Sequence, residues 1–395
     1  MYLKMDSFKE LKRLNNMVVR VKSGISFHQE TAGYLNNRFT NFYWIEIDKE
    51  VYNFKIESNR KRIPLIDFDK DNRNVIAGIN FGSFLITDKE YNQRCSYTNL
   101  VVSKGKVLQF PSNSRICIYS DGKSIDRKYI HANGVLHISN KEFSWSGMNS
   151  NENTDLKIIG MFDMDCKKVS NKSGRKEIVI NEDTNLIHAS NTESILGIKV
   201  DSGIPKVSSI SNDKLDILQY DYAIKGNRDD LEGINTGDIV ESITFGSHIF
   251  NNDINASSGS FELGKNIDEL KNNLYRDLVI QKNRIPKPMD PEYIKSWSVV
   301  LECEDKYVFC INDARPSIYD QRGITVFELQ EYLLDKFKYI WGVVGDSGQS
   351  SKLMFVKDGK RNIFGNLHYI NYNSASAYWD GINGRPISTA ILAYE

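Results

Sequence analysis

Apolar residues fall in short runs along most of this chain, separated by clusters of Asn, Gly, Ser and Asp. Runs of that length bounded by turn residues predict β-strands. Residues 41–47 (NFYWIEI) and 51–56 (VYNFKI) are two such runs, and Asp48-Lys49-Glu50 between them predicts a hairpin loop. Between 97 and 145, short strands alternate with SKG, PSNS, SDGK and ANG turns, which predicts a meander. Residues 146–230 are richer in Asn, Ser, Asp and Lys, but apolar strands keep recurring there, so the segment is not a disordered linker. Helical spacing marks three places. Residues 6–18 place Phe8, Leu11 and Leu14 on one face behind an Asp6 or Ser7 cap. Residues 265–282 are heavily charged and are stopped by Pro286 and Pro288. The third helix opens at Thr325, with Val326, Leu329, Leu333 and Phe337 on one face.

The most informative stretch is 307–356. An apolar strand over 307–311 empties into Asn312, Asp313, Ala314 and Arg315. Thr325 and Glu328 then have the spacing of a capping box at the start of the third helix. A second strand, 339–344, feeds the loop Gly345-Asp346-Ser347-Gly348-Gln349-Ser350-Ser351. Two polar loops at the carboxyl ends of strands that flank a helix are where folds of this kind build sites. The whole reads as an α+β protein: a β-rich, mixed but mainly antiparallel sheet core with a few helices. Residues 1–25 are expected to form an N-terminal helical extension. Residues 26–395 are expected to form one domain with a β-rich elaboration at 110–230.

Composition narrows the picture. Acidic and basic residues balance at 51 each, which removes the electrostatic case for general nucleic-acid binding. The cysteines at 95, 117, 166, 303 and 310 lack the spacing of a zinc knuckle or a redox pair and read as small buried hydrophobes. The six histidines are scattered, so no metal site is expected, and His248 reads either as a satisfied core or surface residue or as a catalytic one. The first residues carry charges throughout and lack a signal-peptide core, and no run approaches the roughly 18 apolar residues of a membrane span. The chain is therefore expected to be cytoplasmic as made, or virion-associated and released by lysis.

The order of short motifs resembles one family. Asn80-Phe81-Gly82-Ser83-Phe84 is followed by Asp313-Ala314-Arg315, then by Arg322-Gly323-Ile324-Thr325. Asp346-Ser347-Gly348-Gln349-Ser350-Ser351 and Arg385-Pro386-Ile387-Ser388 complete the series. This resembles the phosphodiester glycosidase family, most closely over 307–356 and 384–393. Ala314 and Phe81 stand where that family has glycine, and its glycine-rich loop keeps only Gly348 here.

The resemblance implies hydrolysis of the bond between a sugar's anomeric carbon and a phosphate, with no cofactor. Phosphate is a good leaving group, so a strong general acid matters less than in ordinary glycoside hydrolysis. Asp346 and Asp313 are the candidate catalytic carboxylates. Arg315, Arg385 and Arg322 suit phosphate contacts. Backbone N–H groups at Gly348, with the Ser350 and Ser351 hydroxyls, could form an anion nest. Asn80 reads either as a substrate hydrogen-bonder or as a satisfied residue at a strand kink. Thr325 and Glu328 read as capping residues. A serine hydrolase is disfavoured because GDSGQS is not a Gly-x-Ser-x-Gly elbow. The expected partner is a glycan or sugar-phosphate substrate. A homo-oligomer or a virion assembly stays open. The alternative is a non-catalytic module that recognises a phosphate-bearing cell-wall polymer.

Overall fold

The computed structural model describes residues 12–34, 38–85, 96–97, 100–111, 114–147, 154–159, 167–170, 176–179, 186–278, 294–314, 316–317, 320–321, 323–367 and 383–395. The chain divides into two compact units. The first comprises residues 1–83, 120–125 and 259–395, and the second 84–119 and 126–258.

The first unit is built on two antiparallel sheets. In chain order their strands are β1 (Lys12–Lys22), β2 (Ile25–Tyr34), β3 (Arg38–Asp48), β4 (Asn53–Ile63) and β5 (Val75–Asn80). There follow β6 (Phe261–Glu262), β7 (Ser298–Glu302), β8 (Lys306–Asn312) and β9 (Trp341–Val344). Last come β10 (Lys352–Lys357), β11 (Lys360–Gly365) and β12 (Ile387–Tyr394). One sheet has seven strands in the order β1-β2-β3-β8-β7-β9-β6, and the other has five in the order β11-β10-β5-β12-β4.

Strand periodicity sends alternate side chains of β3 to opposite faces. Phe42 and Trp44 point to one face, where helix α2 (Val326–Lys336) covers them. Phe42 stacks on Tyr332 with ring centroids 3.6 Å apart, and Trp44 meets Phe337 edge-on at 5.8 Å. Helix α1 (Ile267–Leu278) adds Leu270 and Leu274 to the same core cluster. The opposite face meets the five-stranded sheet. There Phe27 packs on Phe355 and Phe364 at 4.9 and 4.3 Å, and Phe54 packs edge-on against Tyr307 at 4.8 Å. The central strands of the seven-stranded sheet are thus buried on both sides, which explains why β8 and β7 are nearly continuous apolar runs.

The second unit has an eight-stranded sheet in the order Ile204–Ser211, Glu193–Asp201, Tyr222–Asn227, Leu156–Ile159, Lys141–Gly147, Asn133–Ile138, Val240–Phe245 and His248–Ile249. Its core centres on the rings of Phe110, Trp145, Tyr222 and Phe245. Most of the 110–230 stretch lies in this unit. The short strands of the meander form, but Val101–Ser103 pairs with Asn255–Ser258, far along the chain, as well as with its neighbour Lys106–Gln109.

Three expectations are corrected. The class is β-rich and not α+β: 56% of the structure is strand and 10% is helical, with two α-helices among the described residues. Residues 12–18 are not helical but belong to β1, which pairs with β2. Asn15, Asn16, Val18 and Val19 are weak helix formers, and pairing along a whole strand outweighs a local helical spacing. The boundary expected at residue 25 thus falls at the start of a paired strand. The hairpin at Asp48-Lys49-Glu50 is absent as well. β3 pairs with β8 and β4 pairs with β12, so this turn carries the chain from one sheet to the other.

The capping box expected at α2 is present. Thr325 accepts from the Glu328 backbone N–H, and the Glu328 carboxylate accepts from the Thr325 N–H at 2.8 Å. Replacing Thr325 by Ala should lower unfolding free energy by about 1 kcal/mol, read as a reduced urea midpoint with an unchanged slope.

Candidate functional site

β8 and β9 both run antiparallel to β7, which lies between them, so they end on the same side of the sheet. The two polar loops of the 307–356 stretch therefore emerge together, beside Lys295, Ser296 and Trp297 at the entry to β7. The five-stranded sheet brings its own strand ends to the same place: the last residue of β5 is Asn80, and the first of β10 is Lys352.

Asn80 joins these ends. Its Oδ1 accepts from the Ser298 hydroxyl at 2.7 Å and from the Lys352 backbone N–H at 2.8 Å. Its Nδ2 donates to the Asp346 carbonyl at 3.1 Å. The side chain is fully buried and its bonds go to the protein, so of its two sequence readings the satisfied residue fits. Phe81, next in the chain, is buried against Gly345, where a Cβ would meet the Phe81 ring at 2.7 Å. The phenyl ring therefore needs that glycine opposite it.

Asp346 lies on the loop that follows β9. It keeps part of its surface accessible, but protein atoms crowd its carboxyl. Burial raises its pKa, while the Ser350 hydroxyl, Arg385, the Ser347 N–H and Lys295 pull the other way. Lys295 donates to the Ser347 hydroxyl at 2.7 Å, and its ammonium lies 4.1 Å from the centre of the Trp297 ring. Arg385 is buried at the entry to β12. Lys352 is fully buried, with its ammonium donating to the Gln349 carbonyl at 3.2 Å. Burial first, and Arg385 second, push the Lys352 pKa down to about 7, against the pull of Asp346.

Asp313 differs from Asp346. Its carboxylate accepts from the Asn41 backbone N–H and Nδ2, both at 2.8 Å, and from the Thr40 hydroxyl at 3.2 Å. That pattern ties the β8 loop to the start of β3. Asn366 links the two loops: its Oδ1 accepts from the Ala314 N–H at 3.3 Å, and its Nδ2 donates to the Gly348 carbonyl at 2.7 Å. Gly348 has φ +74°, the left-handed region, which lets the loop turn there. Arg315 and Arg322 lie outside the described residues. Of the cysteines, 117, 303 and 310 are buried and free, and 95 and 166 lie outside the described residues. His248 contacts Lys128 in the second unit, away from these loops in the chain.

The buried serines carry a second signal. Ser83, Ser350, Ser351 and Ser388 have enclosed hydroxyls that make no well-formed hydrogen bond among the described residues. The Ser350 hydroxyl lies near Asp346 without good alignment. The β5–β12 register places Ala390 opposite Asn80, so Ser388 and Ser83 both sit just beyond the β5 end. Unpartnered hydroxyls are uncommon in native interiors, and they fit a group that accepts hydrogen bonds on binding. Among the described residues no cluster could hold a metal ion, and no helix is long and apolar enough to cross a membrane.

No family model matches this chain, and no curated protein matches it. The fold has a solved counterpart, a crystal structure described as that of an exported protein from Burkholderia pseudomallei K96243. The two agree with a TM-score of 0.56 and 9% identity over 98% of this chain and 97% of that one. At that identity the likeness concerns the fold alone.

Sequence reading missed Lys352, Lys295 and Asn366. A lysine that opens an apolar strand ordinarily extends to solvent, so nothing local marked Lys352 as buried. The asparagine was hidden by its distance in sequence from both loops.

Two outcomes follow from this geometry. Asn80→Ala should destabilise the protein by at least about 2 kcal/mol, since it strands buried groups on both sheets; chemical denaturation measures it. Between pH 7 and the ordinary lysine range, the unfolded chain binds a proton that folded Lys352 lacks. Stability contributed through this group therefore rises with pH across that window. The raised Asp346 carboxyl acts oppositely in the acid range, where the folded chain holds its proton longer. Lys352→Met should be more stabilised relative to wild type near pH 7 than near about pH 9, with the gap closing by at most about 1.4 kcal/mol per pH unit. Paired denaturation curves at the two pH values check this.

Proposed function

We propose that the protein is a hydrolase that cleaves the bond between a sugar's anomeric carbon and a phosphate, at the site around Asp346. The observation that carries this reading is the composition of the site. A crowded carboxylate with a raised pKa, on a residue of intermediate exposure, stands among Arg385, Lys352 and Lys295, with buried serine hydroxyls that have no well-formed hydrogen bond among the described residues. Cations and free hydroxyl donors suit a phosphate group. A carboxylate beside them suits the sugar, either by stabilising positive charge at the anomeric carbon or by accepting a proton from water. In the reaction, the carbon–oxygen bond to phosphate breaks and the phosphate monoester leaves with the electron pair. The hydroxyl of water joins the sugar, and Asp346 takes the proton. The resemblance of the ordered motifs to phosphodiester glycosidases supports the same chemistry. Asp313 serves here as the residue that holds the β8 loop.

A specific observation favours a second reading. Glycoside hydrolysis commonly uses two carboxyl groups across the scissile bond. Asp313 has its carboxylate engaged by Thr40 and Asn41. A site with one available carboxylate also fits a non-catalytic module that binds a phosphate-bearing wall polymer.

Incubation with a sugar-1-phosphodiester and measurement of free reducing sugar separates the two. Release by the wild type, reduced about a hundred- to ten-thousandfold in Asp346→Asn, supports the hydrolase. Binding of the glycan with no release supports the module. Asp313→Asn should lose about 1–3 kcal/mol of stability, while the folded enzyme keeps turnover within about tenfold of wild type. An equal collapse of turnover in a folded Asp313→Asn protein would return that residue to the chemistry.

A further inference from the structure

We propose that Lys352 is a charge-compensating residue that takes up a proton when a tetrahedral oxyanion enters the recess at Asp346. This rests on reading that recess as an anion site, and it adds how the site supplies its positive charge.

The geometry leads there in three steps. Lys352 is fully buried on the first residue of β10, directly after Ser350 and Ser351, whose hydroxyls have no well-formed partner among the described residues. Among the described residues its ammonium has one hydrogen bond, to the Gln349 carbonyl at 3.2 Å, where a charged ammonium can donate three. Buried without a full set of acceptors, the charged form is disfavoured until an anion supplies them.

The groups around Lys352 set its charge. Asp346, on the loop after β9, favours the ammonium, and Arg385, at the entry to β12, opposes it. Lys295, ahead of β7, acts on Asp346 and is held by Ser347 and Trp297. Asp313, after β8, turns its carboxylate to Thr40 and Asn41. On the neighbouring strands the facing residues, Asn80 at the end of β5 and Gly365 on β11, do not titrate. Arg385 and Asp346 offset each other. With Lys352 neutral, an incoming anion meets little uncommitted positive charge in the recess. A proton taken from solvent onto the Lys352 amine provides it. The pKa near 7 puts this exchange within reach at physiological pH.

The test uses inorganic sulfate, a tetrahedral dianion that does not itself titrate near neutrality. Titration calorimetry of the full chain at about pH 8, in buffers of different ionisation enthalpy, reads the protons taken up per sulfate bound. The expected result is uptake approaching one proton, with affinity about tenfold weaker at pH 8 than at pH 6. Lys352→Arg keeps its charge at every pH, so it should bind sulfate with no uptake and no such pH dependence. Lys352→Met should bind weakly at both. If the Met variant does not fold, the Arg variant carries the test. Sulfate binding with no uptake at pH 8 overturns the proposal, as does uptake that persists in Lys352→Arg. Uptake lost in Asp346→Asn and kept in Lys352→Arg would assign the proton to Asp346, which also overturns it. Absence of sulfate binding at pH 6 overturns it together with the anion recess. Uptake without sugar release in the hydrolysis assay leaves this inference standing and removes the hydrolase. Sugar release without uptake does the reverse.

Discussion

The site depends on one buried amide. Asn80 ends a strand of the five-stranded sheet, and its side chain bonds to Ser298 and Asp346 of the opposing layer and to Lys352 of its own. Only a side chain with both an acceptor and a donor at its tip can bridge these groups in a dry interior. Apolar packing holds the two sheets face to face through Phe27, Phe355 and Phe364, but such packing is not directional. The hydrogen bonds of Asn80 fix how far the strand ends slide past one another, and with that hold the Asp346 and Lys352 backbones to one side chain.

Charge is the second constraint. Placing a carboxylate, an ammonium and a guanidinium together under protein is unfavourable unless each compensates another. Here the compensation is partial. Burial moves Asp346 up and Lys352 down, each toward its neutral form. The hydroxyls of Ser83, Ser350, Ser351 and Ser388, with no well-formed hydrogen bond among the described residues, point the same way, toward a polar cluster that its own residues do not complete. A structural ion-pair network would satisfy itself. The Asp313 carboxylate, which accepts from Thr40 and twice from Asn41, shows how a carboxylate is satisfied without an incoming ligand.

Much of the local structure was legible in the chain. The Thr325–Glu328 capping box and the charged helix near 265–282 depend on residues a few positions apart. The two polar loops after β8 and β9 were visible for the same reason. Residues 12–18 show the limit of this reading. Their apolar spacing fits a helix, yet β2 lies beside them and the pair forms a long ladder. Asp48-Lys49-Glu50 shows it again, since a short polar turn between two strands does not say whether they pair or part.

The sequence by itself determined many of the short strands and turns, the helices near 265–282 and after Thr325, and that Asp313 and Asp346 sit at strand ends. The tertiary structure alone decided which strands pair, how each of the two carboxylates is engaged, and that Lys352 is buried near Asp346. The physical reason is range. Periodicity, caps and turns act over a few residues. Desolvation and hydrogen-bond satisfaction are set by groups such as Asn80 and Asp346, 266 positions apart in the chain and 3.1 Å apart in the fold.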